Sequence, residues 1–158
     1  MANLRDIFDK PFAGPEMRRK YEAALGKFLV TFNAVEDYMR FTTAEICKSL
    51  DQTEVWERQL VADDFSRQLK NLRLLAIAEP YFADTPFEQL AALNAKRNKL
   101  AHGHYDQDLF SDDFELVGKR QRAKMTIAEI ETATEEADDL WMKLGSNLNN
   151  FWERQHSG

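Results

Sequence analysis

The sequence contains few of the residues that cross-link or interrupt a fold. Its 158 residues include one cysteine, six glycines and four prolines, which excludes an internal disulfide and disfavours a disordered or fibrous chain. Cys47 follows Ile46 in a helical pattern, so we expect a buried thiol rather than a nucleophile. No stretch approaches the roughly 20 uncharged apolar residues that span a bilayer, and residues 1–14 lack the apolar core of a signal peptide. We therefore expect a cytoplasmic protein that does not enter a membrane.

Apolar and aromatic residues are abundant by contrast. Hydrophobic residues make up 44% of the chain and include eleven phenylalanines and three tryptophans, enough to bury one core at the usual size of one domain. The formal net charge of −6 works against indiscriminate binding to nucleic acid, which depends on a basic surface field. Charge is nevertheless segregated, because a basic run at positions 119–124 precedes an acidic run at positions 129–139. We expect a single helical domain over residues 1–158.

Helical periodicity begins at Pro15. Residues 1–14 are predicted to form an N-terminal arm and loop, because prolines and a glycine punctuate the segment and Pro15 suits the first turn of a helix. Apolar residues at spacings of three and four then predict one long helix with a continuous seam. The members of this seam are Tyr21, Leu25, Phe28, Phe32, Val35, Met39, Ile46 and Leu50, with Thr43 in the one missing place.

Shorter helical stretches follow the first helix. Residues 53–78 keep the helical spacing, and Asp63 or Asp64 could cap a second start within them. Thr85-Pro86 offers a cap and a first-turn proline for the next helix. Gly103 should end that helix in a left-handed conformation.

The end of the chain is predicted to be a loop region and a final helix. Residues 104–125 lose the helical period, which indicates a loop or a short β-hairpin. Thr126-Ile127-Ala128-Glu129 has the pattern of a capping box and opens a last helix as long as the first. The expected fold class is therefore all-α, an up-and-down bundle of four to five helices with a short hairpin allowed before the last one.

One segment near a helix end combines a cation, an amide and an imidazole. A stripe of leucines runs along this helix, and Arg97 takes the place of a leucine on it. The leucines are Leu90, Leu93 and Leu100. A buried guanidinium without a partner is costly, so Arg97 should meet a carboxylate, a phosphate or a partner subunit. Asn98 and His102, four residues apart, lie on a neighbouring face, and the helix dipole favours the protonated form of His102.

At these residues the sequence resembles the HEPN superfamily. The signature of that family is an arginine, usually followed by a polar residue such as asparagine, with a histidine after four to six intervening residues. Arg97-Asn98-Lys99-Leu100-Ala101-His102 satisfies the signature with four intervening residues, and His104 would satisfy it with six. Ala101-His102-Gly103 looks more like the common form, so His102 is the preferred histidine. In outline the resemblance extends to the long first helix and to the position of the motif near a helix end.

The resemblance implies an α-helical bundle that pairs into a homodimer and sets two copies of the motif across a cleft. Active members of the family are metal-independent endoribonucleases, often the toxins of toxin–antitoxin or other defence systems, which implies RNA and an antitoxin protein as partners and no cofactor. His102 would move a proton, Arg97 would stabilise charge on a phosphate, and Asn98 would orient. The residues expected to contact RNA are Lys99, His104, Lys119, Arg120, Arg122 and Lys124. Other members of the family are non-catalytic binding or dimerisation modules.

A purely structural role is also open for Arg97 and His102. Arg97 could form an ion pair with a carboxylate of the first helix, such as Glu36 or Asp37. His102 could cap the carbonyls of its own helix. In that case the same residues would hold the fold together and carry no chemistry.

The residues that follow the motif allow two further interpretations, a metal site and a solvated hairpin. His102, His104, Asp106 and Asp108 would share one face of an extended strand and could bind a metal ion. No distant cysteine or histidine supports such a site and Gly103 is expected to break the strand, so we assign no metal ligand. The basic run at positions 119–124 also fits the solvated tip of a hairpin.

Overall fold

The chain alternates long helices with short connecting elements. The computed structural model describes residues 15–61, 64–107, 114–118 and 125–157, with the backbone alone described for residues 102–107 and 114–118. The elements in chain order are α1 (Pro15–Ser49), α2 (Thr53–Val55), a π-helical segment (Trp56–Leu60), α3 (Phe65–Ala78), a 3₁₀ turn (Pro80–Phe82), α4 (Phe87–His102), β1 (Gly103–Gln107), β2 (Phe114–Gly118) and α5 (Ile127–His156). The predicted all-α helical bundle is confirmed. The predicted arm at residues 1–14 lies outside the described residues.

The seam predicted for α1 is the centre of the hydrophobic core. Six of its members are at most 1% exposed: Tyr21, Phe28, Phe32, Val35, Met39 and Ile46. Thr43 is buried in the place where the apolar pattern has a gap. Leu50 lies beyond the end of α1 and is 38% exposed, so the buried part of the seam ends at Ile46.

The first and last helices run parallel to each other. Near their first turns the two helices line a common groove, formed by Lys20, Ala23, Ala24 and Lys27 of α1 with Ile127, Glu131, Thr134 and Glu135 of α5. Near their last turns, Trp152 Nε1 donates a hydrogen bond of 2.7 Å to a carboxylate oxygen of Glu45. The same ends of α1 and α5 therefore lie together.

A close approach between α1 and α5 occurs midway along this pairing. The ring of Tyr38 meets the ring of Trp141 edge to face, with centroids 6.0 Å apart. A Cβ atom on Gly145 would lie 3.1 Å from Cε1 of Tyr38, tighter than ordinary van der Waals contact. Glycine at this position lets the aromatic pair close the gap between the helices.

The short segment between α1 and α3 returns the chain in the direction opposite to α1. Because of this return, α1 and α5 can run parallel in an up-and-down bundle. The rings of Phe32 and Phe65 pack at 4.9 Å, so α3 begins beside the middle of α1. The ring of Phe82, just past α3, packs at 5.1 Å against Phe151 near the end of α5. α3 therefore runs in the same direction as α1 and α5, and the segment 53–60 carries the chain back between α1 and α3.

α4 runs in the opposite direction, beside α3. Arg73 near the end of α3 pairs with Glu88 near the start of α4 at 2.8 Å. Asn94 Nδ2, further along α4, donates a hydrogen bond of 3.1 Å to Ser66 Oγ at the start of α3. The last turn of α4 therefore lies at the end of the bundle where α5 begins.

Capping side chains set two of the helix starts. Asp64 Oδ2 accepts a hydrogen bond of 3.0 Å from the backbone N–H of Arg67, so Asp64 is the N-cap of α3. The capping box of α5 is present: Glu129 N–H donates to Thr126 Oγ1 at 3.2 Å, and Thr126 N–H donates to Glu129 Oε2 at 2.7 Å. Within the described segments, no helix is both long enough and apolar enough to cross a membrane.

The connection after α4 is an antiparallel hairpin, and the role predicted for Gly103 is wrong. β1 and β2 pair in a register that places Gly103 opposite Gly118 and Gln107 opposite Phe114. Gly103 is the first residue of β1 and has no positive φ. The physical reason is that the chain passes from α4 directly into a paired strand, so strand pairing takes the place of a left-handed cap.

Candidate functional site

Arg97 lies on the buried stripe of α4, as the sequence predicts. Leu90, Leu93 and Leu100 are at most 5% exposed, whereas Arg97 is half-buried among them. Its Cζ atom lies 5.7 Å from the ring centroid of Phe32. A guanidinium at this distance from an aromatic face gains a cation–π attraction of about 0.5–1 kcal/mol, or more where water is excluded. Phe32 therefore stabilises the charge of Arg97 without neutralising it.

Neither carboxylate of α1 that the sequence suggests for Arg97 pairs with it. Glu36 accepts a hydrogen bond of 3.1 Å from Gln68 Nε2 and lies 3.6 Å from Arg40. Asp37 lies 3.9 Å from Arg40. The alternative of an ion pair between Arg97 and Glu36 or Asp37 is therefore wrong, because Arg40 on α1 is nearer to both carboxylates. Within the described part of the chain, Arg97 has no carboxylate partner.

Asn98 connects Arg97 to the end of the helix. Its Oδ1 accepts a hydrogen bond from Arg97 Nη1 at 3.3 Å, and the rest of its side chain is exposed. Asn98 lies four residues before His102, so the backbone positions of the two residues are one helical turn apart on α4. His102 is the last residue of α4; its side chain lies outside the described residues. The structure thus joins two of the three predicted catalytic residues and fixes the backbone position of the third.

Lys99 belongs to a different face of α4. It lines a cavity of about 360 Å³ with Lys96, Met125 and three residues of α5: Ala128, Glu129 and Thr132. Lys96 is neutralised there by Glu136, whereas Lys99 is exposed and forms no ion pair with a described residue. Lys99 therefore offers a positive charge on the side of α4 that faces α5, away from Arg97.

The remaining predicted site residues lie on the hairpin and beyond it. His104 is in β1 opposite Val117 of β2. The four basic residues Lys119, Arg120, Arg122 and Lys124 lie outside the described residues, so their contact with RNA stays a prediction. Of the four residues weighed as metal ligands, His104 and Asp106 lie in β1, His102 is the last residue of α4, and Asp108 lies outside the described residues. Where side chains are described, no group of three or more His, Cys, Asp or Glu could hold a metal ion.

Three basic residues of α3 were not singled out by sequence reasoning. α3 contains Arg67, Lys70 and Arg73 and no acidic residue. α4 contains one acidic residue, Glu88, which pairs with Arg73. The sequence signal for Arg67, Lys70 and Arg73 is the absence of acidic residues from α3, in a protein whose net charge is −6.

The opposite sign of charge is concentrated on α5. This helix carries seven acidic residues and only two lysine or arginine residues, Lys143 and Arg154. Phosphate groups are repelled by such a helix and attracted to the side formed by α3 and α4. Arg97, which has no carboxylate partner among the described residues, lies on α4 over Phe32 of α1.

The arrangement can bind and polarise a phosphate. Arg97 supplies a cation with bidentate geometry, and the exposed Asn98 accepts a hydrogen bond from it. The backbone of His102 ends the same helix one turn after Asn98. Comparison of the chain with protein-family models, with curated proteins and with solved structures finds no match in any of the three.

Proposed function

We propose that this protein is a HEPN-type, metal-independent endoribonuclease that works as a toxin or another defence component. The observation that carries the proposal is the half-buried guanidinium of Arg97, which is held over Phe32 and hydrogen-bonded to Asn98 but paired with no carboxylate among the described residues. A structural arginine is normally neutralised by a nearby acid. A phosphate-binding arginine has to keep its charge available, as Arg97 does.

The proposed reaction is an internal transfer at the RNA backbone. The 2′-oxygen of the ribose forms a bond to the adjacent phosphorus as its proton is removed, and the bond from phosphorus to the 5′-oxygen of the next nucleotide breaks as that oxygen takes up a proton. The products are a 2′,3′-cyclic phosphate and a free 5′-hydroxyl. His102 moves a proton, Arg97 stabilises charge on the crowded phosphate, and Asn98 orients Arg97.

The proposed active unit is a homodimer. One histidine per chain does not easily serve as base and acid in the same step, whereas two copies of His102 facing one cleft would supply both. In this arrangement an antitoxin protein would act by covering the cleft. Sedimentation mass measures the dimer directly, and a monomer that cleaves RNA at every concentration would contradict this part of the proposal.

Cleavage of cellular RNA in excess chelator tests the catalytic proposal. The wild-type protein should leave cyclic phosphate ends, and Arg97→Ala or His102→Ala should abolish the cleavage. Arg154→Ala is a matched control, because Arg154 also lies over a ring, 5.6 Å from the centroid of Tyr81, but at the far end of the bundle. Cleavage that survives both motif substitutions, or that fails equally in the control, would exclude the assignment.

The second candidate is a non-catalytic helical module that binds a partner or a nucleotide through the same residues. The partial burial of Arg97 and its hydrogen bond to Asn98 favour it. In that case Arg97→Ala should change the sedimentation mass or the melting temperature while no RNA is cut. An unchanged mass together with unchanged stability would count against the module.

A further inference from the structure

We propose that single-stranded RNA reaches Arg97 along the outer seam between α3 and α4, where Lys70 neutralises a backbone phosphate. The inference rests on the proposed function, and it names a contact outside the HEPN-like motif. Its starting point is the pair of side-chain bridges between α3 and α4. Arg73 with Glu88 marks one end of the seam, and Ser66 with Asn94 lies near the other.

Lys70 lies between these bridges on the same side of α3. It follows Ser66 by four residues and precedes Arg73 by three, which is the spacing of neighbours on one helix face. Lys70 is exposed and forms no ion pair with a residue whose side chain is described. Its ammonium group is therefore free to meet an anion at the seam.

The seam leads to the proposed catalytic residues. Asn98 follows Asn94 by one helical turn on α4, and Asn98 holds the guanidinium of Arg97. The rise from Glu88 to Asn98 is about 15 Å at 1.5 Å per residue, enough for a short stretch of single strand. Cationic and amide groups along this path are suited to phosphate oxygens, and such contacts carry no sequence information.

The surrounding charges favour a polyanion at this seam over the other side of α4. On the seam the single acidic side chain of α4, Glu88, is already paired with Arg73. On the side of α4 that faces α5, Lys96 is neutralised by Glu136, and Glu129 borders the same cavity as Lys99. An RNA strand on that side would meet the acidic start of α5, whereas Lys70 on the seam has no ion-pair partner among the described side chains and the nearest acid of α3 is its N-cap, Asp64. Contact limited to a few cations suits a short single strand better than a duplex, which presents a wider field of phosphates.

Binding of a fluorescein-labelled uridine oligonucleotide, followed by anisotropy in a His102→Ala background, tests the inference without cleavage. Lys70→Glu should weaken binding about tenfold, and Lys70→Gln should lower the slope of log K against log salt by about 0.7, the value for one contact to single-stranded nucleic acid. Lys143→Glu is the control, because it makes the same charge change at an exposed position of α5. Equal effects of Lys70→Glu and Lys143→Glu would overturn the inference, and so would equally tight binding of a polyglutamate peptide.

The outcomes separate this inference from the proposed function. Suppose that the wild-type protein cleaves RNA and that Lys70→Glu binds the oligonucleotide as tightly as the His102→Ala protein from which it is made. The inferred RNA path along the seam is then wrong, and the ribonuclease assignment stands. If no RNA is cleaved but Lys70→Glu selectively weakens binding, the seam stands and the catalytic assignment fails.

Discussion

At the scale of single residues, Arg97 is the point where packing and charge conflict. Its neighbours on the stripe are fully or almost fully buried leucines, and a leucine at position 97 would continue the pattern. The ring of Phe32 offsets only part of the cost of a half-buried charge. A residue that breaks the local packing pattern without stabilising the fold is expected at a functional site, because activity there often requires some loss of stability.

Replacement of Arg97 by leucine should therefore raise the stability of the bundle. We expect Arg97→Leu to increase the free energy of unfolding by about 1 kcal/mol, because a half-buried charge is removed and the apolar stripe is completed. The urea midpoint at constant m-value measures this. Arg154→Leu, which alters an exposed stacked arginine, should change stability by less than about 0.5 kcal/mol. A clear loss of stability in Arg97→Leu would instead assign Arg97 a structural role.

Cys47 gives a pH dependence of stability that can be assigned to one group. The thiol is 1% exposed, and burial raises its pKa above the ordinary value of 9.0. At higher pH the unfolded chain loses the thiol proton while the folded chain retains it, so the free energy of unfolding should fall as the pH rises above about 9. Thermal melts between neutral and alkaline pH should show a smaller decline for Cys47→Ala than for the wild type. Parallel declines in the two proteins would contradict a buried, protonated thiol.

At the scale of elements, the helix starts show which features are predictable from local sequence. Pro15, Asp64 and Thr126 act within one turn of their own position, so their patterns alone predict where α1, α3 and α5 begin. The prediction for Gly103 is wrong because the partner of its strand lies fifteen residues further on, at Gly118. A glycine that ends a helix in a left-handed conformation and a glycine that begins a strand look the same in the local sequence.

The capping box of α5 should contribute measurably to stability. Thr126→Ala removes the acceptor for Glu129 N–H and should lower the free energy of unfolding by about 1 kcal/mol. Thr132→Ala is a matched control on the same helix, because the Thr132 hydroxyl donates to the carbonyl of Ala128 and caps nothing. The melting temperature of Thr132→Ala should equal that of the wild type or be slightly higher. Equal losses in the two variants would show that the box does not stabilise α5.

At the scale of the whole molecule, the relation between helices is what the sequence could not predict. Periodicity predicts which residues of α1 and α5 are buried, but it does not predict whether the two helices run parallel. Their relative direction depends on the direction of the short segment 53–60. Among the described residues Arg97 has no acid partner, and the sequence predicts this only in part. Arg40 is the i,i+4 neighbour of Glu36 on α1, whereas Gln68 reaches Glu36 only in the folded bundle. Lys70 and Asn94 are far apart in the chain, so only the packing of α3 on α4 reveals a seam.

Distances between spin labels test the parallel arrangement directly. In a Cys47→Ala background, labels at Arg19→Cys and Glu131→Cys should lie about 20 Å apart, because Lys20 of α1 and Glu131 of α5 line one groove between packed helices. Labels at Arg19→Cys and Glu153→Cys should lie about 40 Å apart, from the helical rise of 1.5 Å per residue. Pulsed electron resonance measures both distances. Reversal of the two values would mean that α1 and α5 are antiparallel.

The pairing of α1 with α5 also determines when the bundle can be completed during synthesis. The hydrogen bond from Trp152 to Glu45 joins residues 107 positions apart, and contacts of such long range form late because a long loop must first be closed. Until α5 leaves the ribosome, the part of the α1 seam before Phe32 lacks its α5 partner, whereas α3 can already pack beside the second half of α1. The nascent chain is therefore exposed to aggregation and to chaperone capture until α5 has been synthesised.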